Sequence, residues 1–279
     1  MLNMFIALII LGVFQGVAEF LPISSSGHLV LLEQSGFMKS LMNNPSVEIN
    51  LLINVSLHVA TLIAVVIYMR RDIWNIIKGF ITGLVKRDFS NPGFHAGIYI
   101  FIASFPAGII GFLFNDFFEE VFSSVTMVLI FLIINGFILI TANRIPSKGR
   151  KLEEAGIFRS ILIGFCQAFA ILPGISRAGS TLAGGLFCGL EGVEAARFSF
   201  LMAIPVIAGA GLVEGLKIPG SNYPAEIFGP IAAGMIVSIL VALVSIRILF
   251  WVVKQVKLNV FGYYTIALGV TGLIVKFLF

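Results

Sequence analysis

The sequence predicts an all-α polytopic membrane protein with six transmembrane helices plus two re-entrant helix hairpins in an inverted-topology repeat. Three observations predict it. Of 279 residues, 58% are apolar and only 11% charged, against about 45–50% and about 25% in soluble domains. The apolar residues form runs that can cross a hydrocarbon layer, which takes roughly 20 helical residues. Two of the apolar regions are broken midway by Pro, Ser and Gly, and the breaks resemble each other. With 27 Phe and only 2 Cys, the chain is neither disordered nor a disulfide scaffold. Residues 1–279 read as a single membrane domain.

The opening MLNMFIALIILGVFQGVAEF lacks a basic n-region and a small-residue cleavage site, so it reads as mature chain rather than a leader. It begins the first broken region, about 2–33, interrupted by LPISSSGH at 21–28. Uninterrupted spans follow at about 50–69, 96–114 and 121–142. The second broken region, about 157–190, is interrupted by LPGISRAGST at 172–181, and spans at about 198–216, 226–250 and 258–279 complete the chain. Neither half of a broken region is long enough to cross alone. Loop backbone at membrane depth must be covered by protein or line a wet cavity.

Charge placement sets the orientation. Loop 70–95 carries Arg70, Arg71, Lys78, Lys86 and Arg87; loop 143–159 carries Arg144, Lys148, Arg150, Lys151 and Arg159; Arg247, Lys254 and Lys257 flank the last connection. The opposite loops are sparse or acidic, as at Asn115, Asp116, Glu119 and Glu120. With the basic loops in the cytoplasm, both termini fall outside, and the count closes only if neither broken region crosses. The net charge of +4 therefore speaks for membrane orientation and against nucleic acid. Cys166 and Cys188 both lie in apolar segments and read as packing residues.

At an offset of 152, Gly12, Gln15, Ala18, Ser24 and Gly27 coincide with Gly164, Gln167, Ala170, Ser176 and Gly179. A weaker echo pairs FIASFP at 101–106 with FLMAIP at 200–205. Copies of opposite orientation, whose broken segments meet near the midplane, are a plan that many transporters use.

Ionisable groups at membrane depth are few: Glu19, His28, His58 and Arg177. Such groups are costly there and usually pair or serve function. Glu19 lies four residues after Gln15, on one helix face; the plainer reading of the two is polar packing. His28 follows Ser24, Ser25, Ser26 and Gly27, and an imidazole beside hydroxyls and an acid points to chemistry. His58, in SLHVATL, reads as structural. The second break, from Pro173 to Thr181, starts a helix from a Gly-rich turn with Gly174 and Gly179. Backbone N–H groups and the positive helix end there suit an anion. Ser176, Ser180 and Thr181 add hydroxyls, and Arg177 adds the fork that phosphate oxygens fit. The plainer alternative is a helix break with Arg177 paired to Glu19. Gly12-xxx-Gly16 and Gly185-xxx-Gly189 suit close helix packing. Glu191, Glu194 and Arg197 read as an interfacial charge cluster, and whether Ser199 nears the site is left open.

A buried Arg with amide donors wants a phosphate or diphosphate. An acid and an amide could hold a divalent cation with substrate oxygens, and Ser and His could form a nucleophile and base. A lipid diphosphate meets both demands. The run from Gln15 to His28 resembles the (Glu/Gln)-x-x-x-Glu and Pro-x-Ser-Ser-x-Gly-His signature of the undecaprenyl-diphosphatase family, the bacitracin-resistance type. The run from Pro173 to Thr181 is similar to that family's Pro-Gly-x-Ser-Arg-Ser-Gly-x-Thr motif, and segments at Leu57–Leu62 and Ala196–Leu201 also look like the family's.

The resemblance implies hydrolysis of a polyprenyl diphosphate to the monophosphate and inorganic phosphate in the plasma membrane, at a site open to the outer face. The lipid carrier of cell-envelope glycans is thereby recycled, and a homodimer fits the family. It implies that Glu19, Ser25, His28 and Arg177 are catalytic, with Ser25 as nucleophile and His28 as its base. Ser24, Ser26, Gly174, Ser176, Gly179, Ser180 and Thr181 form the phosphate-binding set. Gln15 and Glu19 are the expected ligands of Mg2+ or Ca2+. Gln15 takes the neutral option at its motif position, and Ala178 replaces a Ser. The competing reading is a transporter, flippase or channel for a phosphate-bearing lipid or anion, because fold alone does not decide function.

Overall fold

A computed structural model describes residues 2–34, 46–114, 117–118, 121, 124–216 and 223–278. Its α-helices in chain order are α1 (Leu2–Ala18), α2 (Ser25–Gln34), α3 (Val47–Tyr68), α4 (Arg70–Lys86), α5 (Pro92–Leu113), α6 (Val125–Ala142), α7 (Gly156–Phe169), α8 (Arg177–Phe187), α9 (Gly192–Gly215), α10 (Phe228–Lys254) and α11 (Asn259–Leu278). Among the described residues no extended strand occurs, and six helices, α3, α5, α6, α9, α10 and α11, are long and apolar enough to cross a membrane. They correspond to the six expected spans, and the chain is an all-α, multi-pass membrane protein. The acidic stretch Asn115, Asp116, Glu119 and Glu120 lies outside the described residues.

Local sequence sets the helix starts. Ser46 caps α3 by accepting from the Ile49 N–H, Asn91 caps α5 ahead of Pro92, and Ser124 caps α6; each side-chain oxygen satisfies an N–H that the helix leaves open. Two boundaries differ from expectation. Residues 70–86, read from their charges as loop, form α4, an amphipathic helix. Its half-buried Ile73, Ile76 and Phe80 share one side, and its Gly79 packs on Gly93 of α5. Helix α9 starts six residues before the expected span. Its first turns carry charges that are neutralised, because Arg197 donates to both Glu194 and Asp72 of α4 at 2.6–2.8 Å.

Packing follows the repeat. A Cβ on Gly12 of α1 would collide with the Gly234 carbonyl of α10, and one on Gly164 of α7 would lie 2.6 Å from the Ala103 carbonyl of α5. Residues matched at the 152-residue offset thus make the same close approach, the first helix of each broken region docking on a long helix of the opposite half. The pairs α3 with α9 and α6 with α11 close the arrangement. The FIASFP echo drops out. Its copies sit on α5 and α9, which hold different places in their halves, so the match reflects only residues common in membrane helices. Cys166 and Cys188 are free thiols.

Candidate active site

The site is built where the two broken segments touch. Helix α1 stops at Ala18 because Leu21 precedes Pro22, which disfavours helical backbone, and Ser24 turns the chain with φ +70°. The Ser24 hydroxyl then caps α2 by accepting the Gly27 N–H at 3.2 Å. The second break has the same design. Gly174 turns with φ +102°, where a Cβ would strike the Val128 carbonyl, and Ser176 caps α8 by accepting the Gly179 N–H at 3.1 Å.

Three contacts hold the tips together. The Ser24 hydroxyl donates to the Ile175 carbonyl at 3.4 Å, and Gly27 lies against Gly174, where a Cβ would come within 3.1 Å of the Gly174 Cα. Buried Asn135 of α6 spans both breaks: its Nδ2 donates to the Pro22 carbonyl at 3.1 Å and its Oδ1 accepts the Ser176 N–H at 3.0 Å. An amide with donor and acceptor both used is a stable choice inside a membrane protein. Its sequence signal was an Asn within an otherwise apolar span, which a search for ionisable groups alone passes over.

Glu19, 7% exposed, is the hub. Its Oε1 accepts from Arg177 Nη2 at 2.8 Å, and its Oε2 accepts from the Ser25 hydroxyl at 3.0 Å and from Gln15 Nε2 at 3.2 Å. His58 Nε2 stands 3.9 Å from the same Oε2. The acid and serine of the first broken segment therefore face the guanidinium of the second. The Arg177–Glu19 pair of the plainer reading does form, yet both residues also line an open cavity of about 350 Å³. Serines 25 and 26, Asn54 and His58 make up its polar part; Leu51 and Val55 of α3 and Val206, Ile207, Ala210 and Gly211 of α9 make up an apolar wall. A charged pair that keeps access to a cavity can exchange partners for a ligand's charges, which a sealed pair cannot.

Placement departs from expectation for several residues. His28 is not brought to Ser25. Its Nδ1 contacts the Ser24 carbonyl and its Nε2 the Tyr264 hydroxyl of α11, both at 2.8 Å, with the two rings stacked. The imidazole thus ties the first turn to the last helix, away from the cavity. His58, read as structural, occupies the cavity instead. Its Nδ1 lies 2.9 Å from the Asn54 carbonyl, which can only accept, so Nδ1 carries a proton and Nε2 turns toward Glu19. The sequence hides this because His58 has no charged neighbour along its helix, and its partner lies 39 residues upstream.

Of the phosphate-binding set, Ser26 lines the cavity. Gly174, Gly179, Ser24 and Ser176 shape and cap the breaks. Thr181 donates to the Arg177 carbonyl at 2.7 Å and lies 2.6 Å from the Ser199 hydroxyl, while Ser180 is buried with no partner for its hydroxyl among the described residues. These side chains build the frame of the second break and do not face the open space. Ser199, whose place was left open, supports Arg177, accepting from its Nη1 through the backbone carbonyl at 3.4 Å.

A divalent cation was expected at Gln15 and Glu19. Among the described residues no group of three or more His, Cys, Asp or Glu side chains could hold a metal. Among the described residues Gln15 Oε1 is buried and without a partner, while the amide's Nε2 faces Glu19 Oε2, so the oxygen would reach a cation at Glu19 with the amide turned over. One carboxylate and one amide oxygen fit a hard cation that takes its remaining ligands from a substrate's phosphates.

Residues 8–271 match the family described as bacitracin resistance protein BacA. The chain is 38% identical over 268 residues to an undecaprenyl-diphosphatase of Rubrobacter xylanophilus, covering 94% of each chain. It is 38% identical over 274 residues to one from Thermomicrobium roseum, covering 95% of this chain and 96% of the relative. It is 36% identical over 278 residues to one from Methanosphaera stadtmanae, covering 96% of each. With its two broken segments in contact, an acid and a serine facing a guanidinium, and near full-length agreement with these proteins, the chain belongs to the BacA bacitracin resistance family.

Proposed function

We infer that this chain removes the terminal phosphate of undecaprenyl diphosphate, yielding undecaprenyl monophosphate and inorganic phosphate and returning the lipid carrier to cell-envelope glycan synthesis. The observation that carries the reading is the cavity itself: Glu19, Ser25 and Arg177 on its polar side and a wall of α3 and α9 on its apolar side. A diphosphate joined to a polyprenyl chain has the same two-part character. A conduit for ions or lipids has no need of a serine hydroxyl held on a carboxylate, so the Ser25–Glu19 bond favours hydrolysis over transport.

The chemistry follows from the bonds. Arg177 is released from Glu19 onto the terminal phosphate, whose oxygens its fork can take two at a time. Ser25 Oγ attacks the terminal phosphorus in line while its proton passes to Glu19 Oε2, its present acceptor. The bond from phosphorus to the bridging oxygen breaks, and the polyprenyl monophosphate leaves. Water then attacks the phosphoserine, the Ser25 Oγ–P bond breaks, Oγ takes back the proton from Glu19, and phosphate departs with the water's oxygen. His58 Nε2 and Ser26 contact the phosphoryl oxygens from the cavity wall, and His28 keeps the Ser24–Ser25 turn in place. Little covalent work is asked of the protein, since phosphoryl transfer depends mainly on positioning and charge. A Mg2+ or Ca2+ ion held by Glu19 and phosphate oxygens, with Gln15 as a further ligand once its amide is turned over, would supply neutralisation of the diphosphate.

Both hairpins enter and leave the membrane on one side, the first from outside and the second from the cytoplasm, in the plasma membrane. The cavity faces the outer leaflet. The test is phosphate release from farnesyl diphosphate by the purified protein in detergent, with Glu19→Ala as control. Release that the control abolishes supports hydrolysis; no release, together with ion or lipid flux in liposomes, overturns it.

A further inference from the structure

A second cavity lies at the opposite end of α8 from Arg177. The helix runs 11 residues from Arg177 to Phe187, about 16 Å at 1.5 Å per residue, so nothing in this cavity touches Glu19 or Ser25. It measures about 450 Å³ and is walled by the ends of α6, α8 and α10 and the start of α9. Its floor is apolar, with Leu186 and Val253 buried, and two exposed apolar residues, Ile145 and Val256, also line it.

Into this cavity come Arg144 and Lys254, both exposed. Neither makes an ion pair or a side-chain hydrogen bond among the described residues, nor does Glu191, the acid on the same wall. Basic residues at helix ends commonly serve only to orient a membrane protein or to offset a helix dipole. This pair differs because both cations converge on one recess that has an apolar floor and exposed apolar residues. Three nearby cations are engaged elsewhere: Arg150 donates to the Cys188 carbonyl, Arg197 is held by Asp72 and Glu194, and Lys257 sits over the Trp251 ring.

We propose that this cavity binds the headgroup of an anionic phospholipid, its phosphate between Arg144 and Lys254 and its acyl chains over Ile145 and Val256. Basic pockets between transmembrane helices on the cytoplasmic side suit such headgroups. A phosphate diester carrying net negative charge satisfies both cations, whereas a zwitterionic headgroup brings its own cation into competition with them. Glu191 opposes the headgroup and keeps the site from becoming a tight anion trap.

The experiment is native mass spectrometry of the whole protein titrated with phosphatidylglycerol or phosphatidylcholine, for the unaltered chain, Arg144→Gln/Lys254→Gln and Glu191→Gln. The unaltered chain is expected to retain one phosphatidylglycerol in preference to phosphatidylcholine. The double variant should lose about thirty-fold in that retention, from two charges near an anionic headgroup, and Glu191→Gln should strengthen it. Phosphate release from farnesyl diphosphate should stay unchanged in all three, which also reports folding. Equal retention by the double variant, equal retention of the two lipids, or displacement of the lipid by inorganic phosphate would overturn the proposal. If the double variant fails to fold, Glu191→Gln decides alone: no gain in phosphatidylglycerol retention refutes the site. Because the readout is lipid retention, its failure is distinct from a failure of phosphatase activity in the unaltered chain.

Discussion

The two broken segments share one local design and use it differently. Both end a helix at a break, turn through a left-handed residue, and restart on a serine that caps the next helix: Ser24 with φ +70° in one, Gly174 with φ +102° ahead of Ser176 in the other. Chemistry diverges at three matched positions. Glu19 corresponds to Ile171, Ser25 to Arg177, and His28 to Ser180. Gln15 bonds Glu19, whereas Gln167, its counterpart, has Ile171 where an acid would be and leaves both amide atoms unpartnered among the described residues. The backbone of the break is thus a shared scaffold, and charge of opposite sign was placed on the two copies. Only when both copies meet is the site complete.

The largest effect belongs to Glu19, which touches Ser25, Gln15 and Arg177 at once: Glu19→Gln should lower kcat by about 10³-fold, the scale of losing a positioned proton acceptor, measured as phosphate release. Arg177→Lys keeps the charge but not the fork and should cost about 10²-fold; near-native turnover would remove its assigned role. Next comes the apolar wall. A Cβ on Gly211 would meet Val59 at an ordinary 3.8 Å, so Gly211→Ala should be neutral, while Gly211→Phe should raise KM for a C55 diphosphate about tenfold more than for a C5 one, by occupying area the chain would bury. A smaller effect is expected at His58. His58→Gln retains a donor toward the cavity and should stay within about threefold of the native rate, while His58→Leu should lose about tenfold, one hydrogen bond's worth. The smallest effect lies in the silent copy. Gln167→Leu removes an unsatisfied buried amide and should raise stability by about 1 kcal/mol, where Gln15→Leu should lower both stability and activity.

The sequence made the membrane spans legible because each is a long apolar run, and made the breaks legible because Pro, Gly and Ser interrupt them. It misled at α4, whose Arg70, Arg71 and Lys78 mark it as loop by charge although Ile73, Ile76 and Phe80 recur at helical spacing. Glu19, Ser25 and Arg177 could be read because ionisable and hydroxyl groups at membrane depth demand a reason. His58 and His28 exchanged places relative to expectation for one physical cause. Sequence neighbours suggest a partner only along one helix, while Glu19 reaches His58 on α3, and Tyr264 on α11 reaches His28. Asn135 was overlooked because an uncharged amide carries no titration signal, though it clasps both breaks.

The two breaks touch, so that Glu19 of one and Arg177 of the other share an ion pair at the edge of the cavity. A double-mutant cycle on thermal stability in detergent, with Glu19→Gln, Arg177→Met and both together, measures that contact. Each single variant leaves its partner's charge unpaired beside the cavity and should cost about 2 kcal/mol, and the double should cost much less than their sum. Additive losses would show that the two side chains do not meet, and the account would fail with them.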